Sequence, residues 1–157
     1  MKNKKISTVL LIFEILILIG IFCFSAQTGE ESGNISQNFT EKFLNFFGLR
    51  DVNVNHTEHV LRKGAHVLEY ALLGAAVCAL MFYIPKFSDS FYLPTICAWG
   101  FSVFYAITDE FHQSFVPGRG PSVQDVVWDG IGALIGILIV MFFRFFIFQK
   151  RKNTEKS

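Results

Sequence analysis

Three short stretches carry side chains whose types and spacing suit chemistry. "RKGAHVLEY" (Arg62 to Tyr70) holds Lys63, His66, Glu69 and Tyr70. On a helix, Lys63, His66 and Tyr70 share an arc, with Glu69 beside them. "TDEFHQSFVPGRG" (Thr108 to Gly120) holds Asp109, Glu110, His112, Gln113 and Arg119, with Asp109 on the face of His112 and Gln113. "SVQDVVWDG" (Ser122 to Gly130) places Asp125 and Asp129 one helical turn apart.

Two chemistries suit this set. In a binding site, Lys63 and Arg119 hold a phosphate or carboxylate, Arg119 by a two-pronged fork, while Tyr70, Gln113, Asp125 and Asp129 complete the lining. In an enzyme, His66 or His112 is the general acid or base, Asp109 or Glu110 orients it, and Arg119 stabilises developing phosphate charge. The reactions that fit are hydrolysis or transfer at phosphodiester or glycosyl bonds. Plainer roles stay open: His66 bonded to a backbone carbonyl, Glu69 paired with Lys63 or Arg62, and Asp125 in a capping box with Ser122. His66-x-x-Glu69 and Asp109-x-x-His112 each offer two potential ligands on one face, but neither is a dedicated metal signature, so no metal or cofactor is expected.

The elements that must position these groups are apolar. The chain has 157 residues, 52% of them apolar, including 19 Phe. Runs at 6–24, 65–84, 91–107 and 126–148 are each long enough, at about 1.5 Å per residue, for a hydrocarbon core of roughly 30 Å. They do not alternate as barrel strands would. The expected fold is therefore one all-α membrane domain, a bundle of four spans. The first run is too long for a secretory signal and reads as an uncleaved helix. Cys23, Cys78 and Cys97 fall inside apolar runs and read as small buried hydrophobes.

Basic residues orient the bundle. The termini and the loop near Lys86 carry nine, against five in the two longer loops, which puts both termini in the cytoplasm. The net charge of +1 implies no nucleic-acid partner. The chemistry-bearing stretches then meet at the outer leaflet. Within residues 35–47, Ile35, Phe39, Phe43, Phe46 and Phe47 recur at helical spacing, and Gly48 offers a stop, so a short amphipathic helix is expected in the interface or against neighbouring helices. Glu14 falls near mid-membrane and reads as a protonated acid bonded across the bundle, with a functional proton group as the alternative. Gly132 and Gly136 form a small-residue ridge for a close helix neighbour, in this chain or in a second copy forming a homo-oligomer.

In this order the segments resemble the VanZ-like family of bacterial membrane proteins. "KGAHVLEYALLG" is similar to the family's Lys-x-x-His-x-x-x-Tyr-x-x-Leu-Gly opening, which covers Lys63, His66 and Tyr70. "TDEFHQSFVPGRGPSVQDVVWDGIGALIG" is similar to its Asp-Glu-x-x-Gln, Pro-Gly-Arg and Asp-x-x-x-(Asn or Asp)-x-x-Gly run, which covers Asp109, Glu110, Gln113, Arg119, Asp125 and Asp129. "FSAQTGEES" resembles the polar patch after the family's first helix. The resemblance implies a cell-envelope setting in the bacterial cytoplasmic membrane and an association with resistance to teicoplanin-type glycopeptides, with no established reaction. Membrane lipids, a lipid-linked envelope precursor or the antibiotic are the partners it suggests.

Overall fold

The computed structural model describes residues 2–49, 52–88 and 90–154. Of the charges used to orient the chain, Arg50, Asp89, Glu155 and Lys156 lie outside them. Six helices follow in order: α1 (Lys2–Ser25), α2 (Gly29–Phe47), α3 (Val54–Met81), the single turn α4 (Pro85–Ser88), α5 (Tyr92–Gln113) and α6 (Val123–Thr154). No strand occurs among the described residues.

Three helices, α1, α3 and α6, are long and apolar enough to cross a membrane. Their outer faces carry large exposed apolar side chains, among them Val9, Leu16, Leu68, Leu72, Leu138 and Phe142. Such surface is costly in water and suits lipid, so this is a membrane protein. The remaining expected span, 91–107, falls on α5, with Phe91 at its N-cap. That helix has the length, but Pro94, Thr95, Trp99 and Ser102 dilute its apolar character. Four of its buried residues, Pro94, Ala98, Ser102 and Ala106, recur every fourth position along the face against α3 and α6.

The centre of the molecule is the α3–α6 pair, packed backbone to backbone. A methyl group at Gly132 would overlap the Val67 carbonyl, one at Gly136 the Ala71 carbonyl, and one at Gly74 the Ala133 carbonyl. The small-residue ridge is thus filled by α3 of the same chain, the first of the two neighbours expected for it, and Gly132 and Gly136 are not open to a second copy. Around this seam Tyr70, Leu73, Val77, Cys78, Ala98 and Ile137 form the buried core, closed on one side by Ile21 of α1.

Helix α2 starts six residues earlier than its apolar pattern indicates. Thr28 and Glu31 form a capping box: the Thr28 hydroxyl accepts from the Glu31 N–H at 3.2 Å, and the Glu31 carboxylate accepts from the Thr28 N–H at 3.0 Å. Gly48 ends the helix in the left-handed conformation, φ 69°. Thr40 and Leu44 are its buried residues, and α3 is the helix it packs on, where the Ser36 hydroxyl donates to the Glu58 carboxylate. Ile35, Phe39, Phe46 and Phe47 remain exposed. Helix α3 also starts early, capped by Asn53, whose side chain accepts from the His56 N–H at 3.2 Å.

Two expectations fail in detail. Glu14 is only 9% exposed, yet its Oε2 has no hydrogen-bond partner among the described residues, so the bond across the bundle is not made. Cys23 is exposed, since it lies on the outward face of α1.

The α3–α6 seam makes a direct prediction. Gly136→Ala should destabilise the protein by about 1–3 kcal/mol through overpacking, read as a lower thermal midpoint in detergent, whereas Gly20→Ala, where nothing lies within 4 Å, should leave the midpoint unchanged.

Candidate functional site

The core-facing stripe of each long helix runs on, at one end, into polar residues. On α3 the series Leu73, Tyr70, His66, Lys63 follows one face; on α6 the series Ile137, Ala133, Asp129, Asp125 does the same. On α5 the buried ridge from Pro94 to Ala106 ends in Glu110, with Asp109 and Gln113 beside it. Helical periodicity that packs the core therefore aims these side chains at one another.

They meet around a cavity of about 270 Å³. Lys63, His66, Gln113, Arg119, Asp125 and Asp129 all line it. The Lys63 ammonium lies 3.3 Å from Asp125 Oδ1 and joins α3 to α6 across the mouth. His66 Nδ1 is 3.9 Å from Glu69 Oε2, so Glu69 pairs loosely with its own helix neighbour, while Lys63 goes to α6. Asp129 is 1% exposed, and its Oδ1 has no partner among the described residues.

The other expected site residues lie behind or beside the cavity. Asp109 is buried and accepts from the Gln113 amide at 2.9 Å, which holds Gln113 in the wall. Glu110 is buried and accepts from the Ser122 N–H at 2.7 Å. Burial raises the Glu110 carboxyl above the usual carboxylate range, against the opposing pull of that backbone donor. Tyr70 is fully buried beneath the cavity floor, with its hydroxyl unpartnered among the described residues. His112 turns the other way: its ring stacks on Phe22 of α1 with centroids 4.8 Å apart. It is not brought together with His66.

The helix start at α6 has an unexpected division of labour. Ser122 caps it, its hydroxyl accepting from the Asp125 N–H at 3.3 Å. In a capping box Asp125 would return to the Ser122 N–H, but Glu110 from α5 takes that place. Asp125 is thereby left for Lys63.

The loop between α5 and α6 folds over the cavity and docks on α2. Gly29 N–H donates to the Pro117 carbonyl at 3.0 Å, and Gly118 turns with φ 76° directly against Gly29, where any side chain would collide with the Gly118 carbonyl. This fixes Arg119, whose Nη2 donates to the Phe24 carbonyl at 3.3 Å. Burial first, then the like charge of Arg62, lowers the Arg119 pKa; Asp109, Glu110 and Glu69 act in the opposite sense.

Arg62, His59, Ser32, Gly29 and Trp128 also line the cavity and escape a reading by motif. The available signals are structural ones: the capping box at Thr28 and Glu31, which brings Gly29 and Ser32 to a helix start, and the Asn53 cap, which extends α3 back through His59 and Arg62. Among the described residues Arg62 makes no ion pair. No group of three or more His, Cys, Asp or Glu side chains is gathered for a metal there either.

The cavity lining, from Gly29 to Asp129, lies inside one family match. A model described as VanZ/LLP1 covers residues 10–144. No curated protein and no solved structure matches the chain. Both ends of the cavity's polar set, Ser32 near the start and Asp129 near the end, fall within the matched region, and the chain belongs to the VanZ/LLP1 family.

Proposed function

We propose that this protein is a four-span envelope protein of the bacterial cytoplasmic membrane, with both termini inside, whose outward cavity binds the anionic group of a lipid-linked ligand. The observation that carries this is the convergence of Arg62, Lys63 and Arg119 on one cavity, where, among the described residues, only Lys63 is paired with a lining carboxylate. Two guanidinium groups facing one cavity, Arg119 half-buried and Arg62 exposed, are relieved by an anion between them, and arginine suits the planar, two-point contact of a phosphate. The association with glycopeptide resistance that the family suggests fits such a role: a protein that holds lipid-linked envelope material at the outer leaflet changes what an antibiotic meets there.

A soluble head-group mimic tests the reading. Glycerol 3-phosphate titrated calorimetrically into the protein in nanodiscs should bind, and Arg119→Gln or Arg62→Gln should each weaken it roughly tenfold or more, the loss of one charge-assisted contact. Lys63→Gln should cost less, because Asp125 already holds that ammonium. Full affinity after both arginine changes together would end the proposal.

A second reading rests on Asp129 and His66 lining the same cavity, the carboxylate with an unpartnered oxygen. A carboxylic acid and an imidazole on one cavity are the residue types that general acid and base catalysis of hydrolysis or transfer on a lipid-linked precursor requires. Asp129→Asn separates the two. In a binding protein it removes a negative charge and tightens glycerol 3-phosphate; in an enzyme it abolishes turnover of envelope precursors, followed by mass spectrometry of lipids in cells carrying the variant.

Glu110 gives a pH signature. Its carboxyl is raised in the folded state, so its contribution favours folding at pH below the unfolded value of about 4.3 and is lost as pH rises through the folded value. Glu110→Gln, which keeps an acceptor for Ser122, should make the thermal midpoint less sensitive to pH above that point than in the parent protein. An identical pH profile in both would show that Glu110 does not titrate in the folded state.

A further inference from the structure

Beside the polar cavity lies a second one of a different character. It measures about 310 Å³, and its walls are Phe24 at the end of α1, Ile35 and Phe39 on α2, and Leu61 and Ala65 on α3. Ile35 and Phe39 are 53% and 59% exposed, so this side of the groove is open. The two cavities are not separate: Ser32, Arg62, His66 and Arg119 line both. A cationic junction thus divides a polar compartment from an apolar one, with Glu69 beside His66 at the boundary.

We infer that the apolar groove holds the hydrocarbon chain of the ligand, so that the natural ligand is an anionic amphiphile taken sideways from the outer leaflet between α1, α2 and α3. This rests on the anion reading of the polar cavity and specifies the ligand class. An isolated apolar groove in a membrane protein is simply filled by lipid. This one leads to the arginines, so a chain lying along Phe39, Leu61 and Ala65 presents its head to Arg62 and Arg119. Lipid tails are as apolar as Leu, so the groove gains nothing from the hydrophobic effect relative to the bilayer. Its contribution is positional: it fixes where the head group lies. The exposed aromatic face of α2 belongs to the same device, since α2 forms one wall of the groove and its capped end, at Gly29 and Ser32, borders the polar cavity. A water-soluble ligand would have no use for this second compartment.

The test uses the full chain in nanodiscs and hexadecyl phosphate carrying a diazirine midway along its chain. After illumination, adducts mapped by peptide mass spectrometry should concentrate on the α2 segment around Ile35 and Phe39 and the α3 segment around Leu61 and Ala65. They should disappear with excess unlabelled hexadecyl phosphate or farnesyl phosphate, the stronger competitor identifying a straight or an isoprenoid chain as the source. Ala65→Phe fills the groove from an exposed position and, by denying the chain its place, should cut labelling roughly tenfold, while glycerol 3-phosphate binds as before. Phe39→Ala, at an exposed site, should lower labelling in the same direction. Adducts scattered over the lipid-facing sides of α1 and α6, or labelling indifferent to Ala65→Phe, would overturn the chain site even with the anion reading intact. Absence of glycerol 3-phosphate binding alongside groove-confined adducts would instead remove the anion reading and leave the chain site standing.

Discussion

The close approach of α3 to α6 governs the rest of this structure. Gly74, Gly132 and Gly136 let the two backbones touch, and each glycine faces a carbonyl of the opposite helix. In lipid, where apolar side chains have no preference for one another over the solvent, such backbone packing is a principal source of helix association. It also sets register. With Gly132 against Val67 and Gly136 against Ala71, the next turns toward the polar end place Asp125 opposite Lys63 and bring Asp129 into the cavity wall.

The polar cavity is then a continuation of the core by other residues. Each helix keeps a single inward face, apolar where it is surrounded by helices and polar where the bundle ends. Burying ionisable groups is costly unless they are paired or bonded, and most here are satisfied: Asp109 by Gln113, Glu110 by the Ser122 backbone, Asp125 by Lys63. Among the described residues, Asp129 Oδ1 and Arg62 in the wall lack such a partner, and Arg119 bonds only to the Phe24 carbonyl. The exchange at the α6 cap, in which Glu110 does what Asp125 would ordinarily do, ties the α5–α6 loop to the buried end of α5. That loop carries Arg119, so cap, loop and cation are one mechanical unit braced on α2 through Gly29.

Much of the arrangement was open to inspection in the linear chain. Apolar run lengths announce membrane helices, and the 3.6-residue period of "RKGAHVLEY" and "SVQDVVWDG" places Lys63 with His66 and Asp125 with Asp129, because local geometry alone decides which residues share a helix face. The capping chemistry of Thr28 and Glu31 was equally present, although the weak apolarity of 29–34 hides the true start of α2 from a hydropathy reading.

Tertiary structure decided everything that depends on rotation about a helix axis and on which helices are neighbours. His112 shares a face with Asp109 by spacing, yet the packing of α1 gives its ring to Phe22. Arg62, one residue from the motif, enters the cavity because α2 folds back over α3. The ridge at Gly132 and Gly136 reads the same in sequence whether it meets a second copy or its own chain, and only the shape of α3, small at Gly74, resolves it. A sequence fixes periodicity within each helix because that follows from backbone hydrogen bonding; the partner of each face follows from close packing between helices, which no single segment contains.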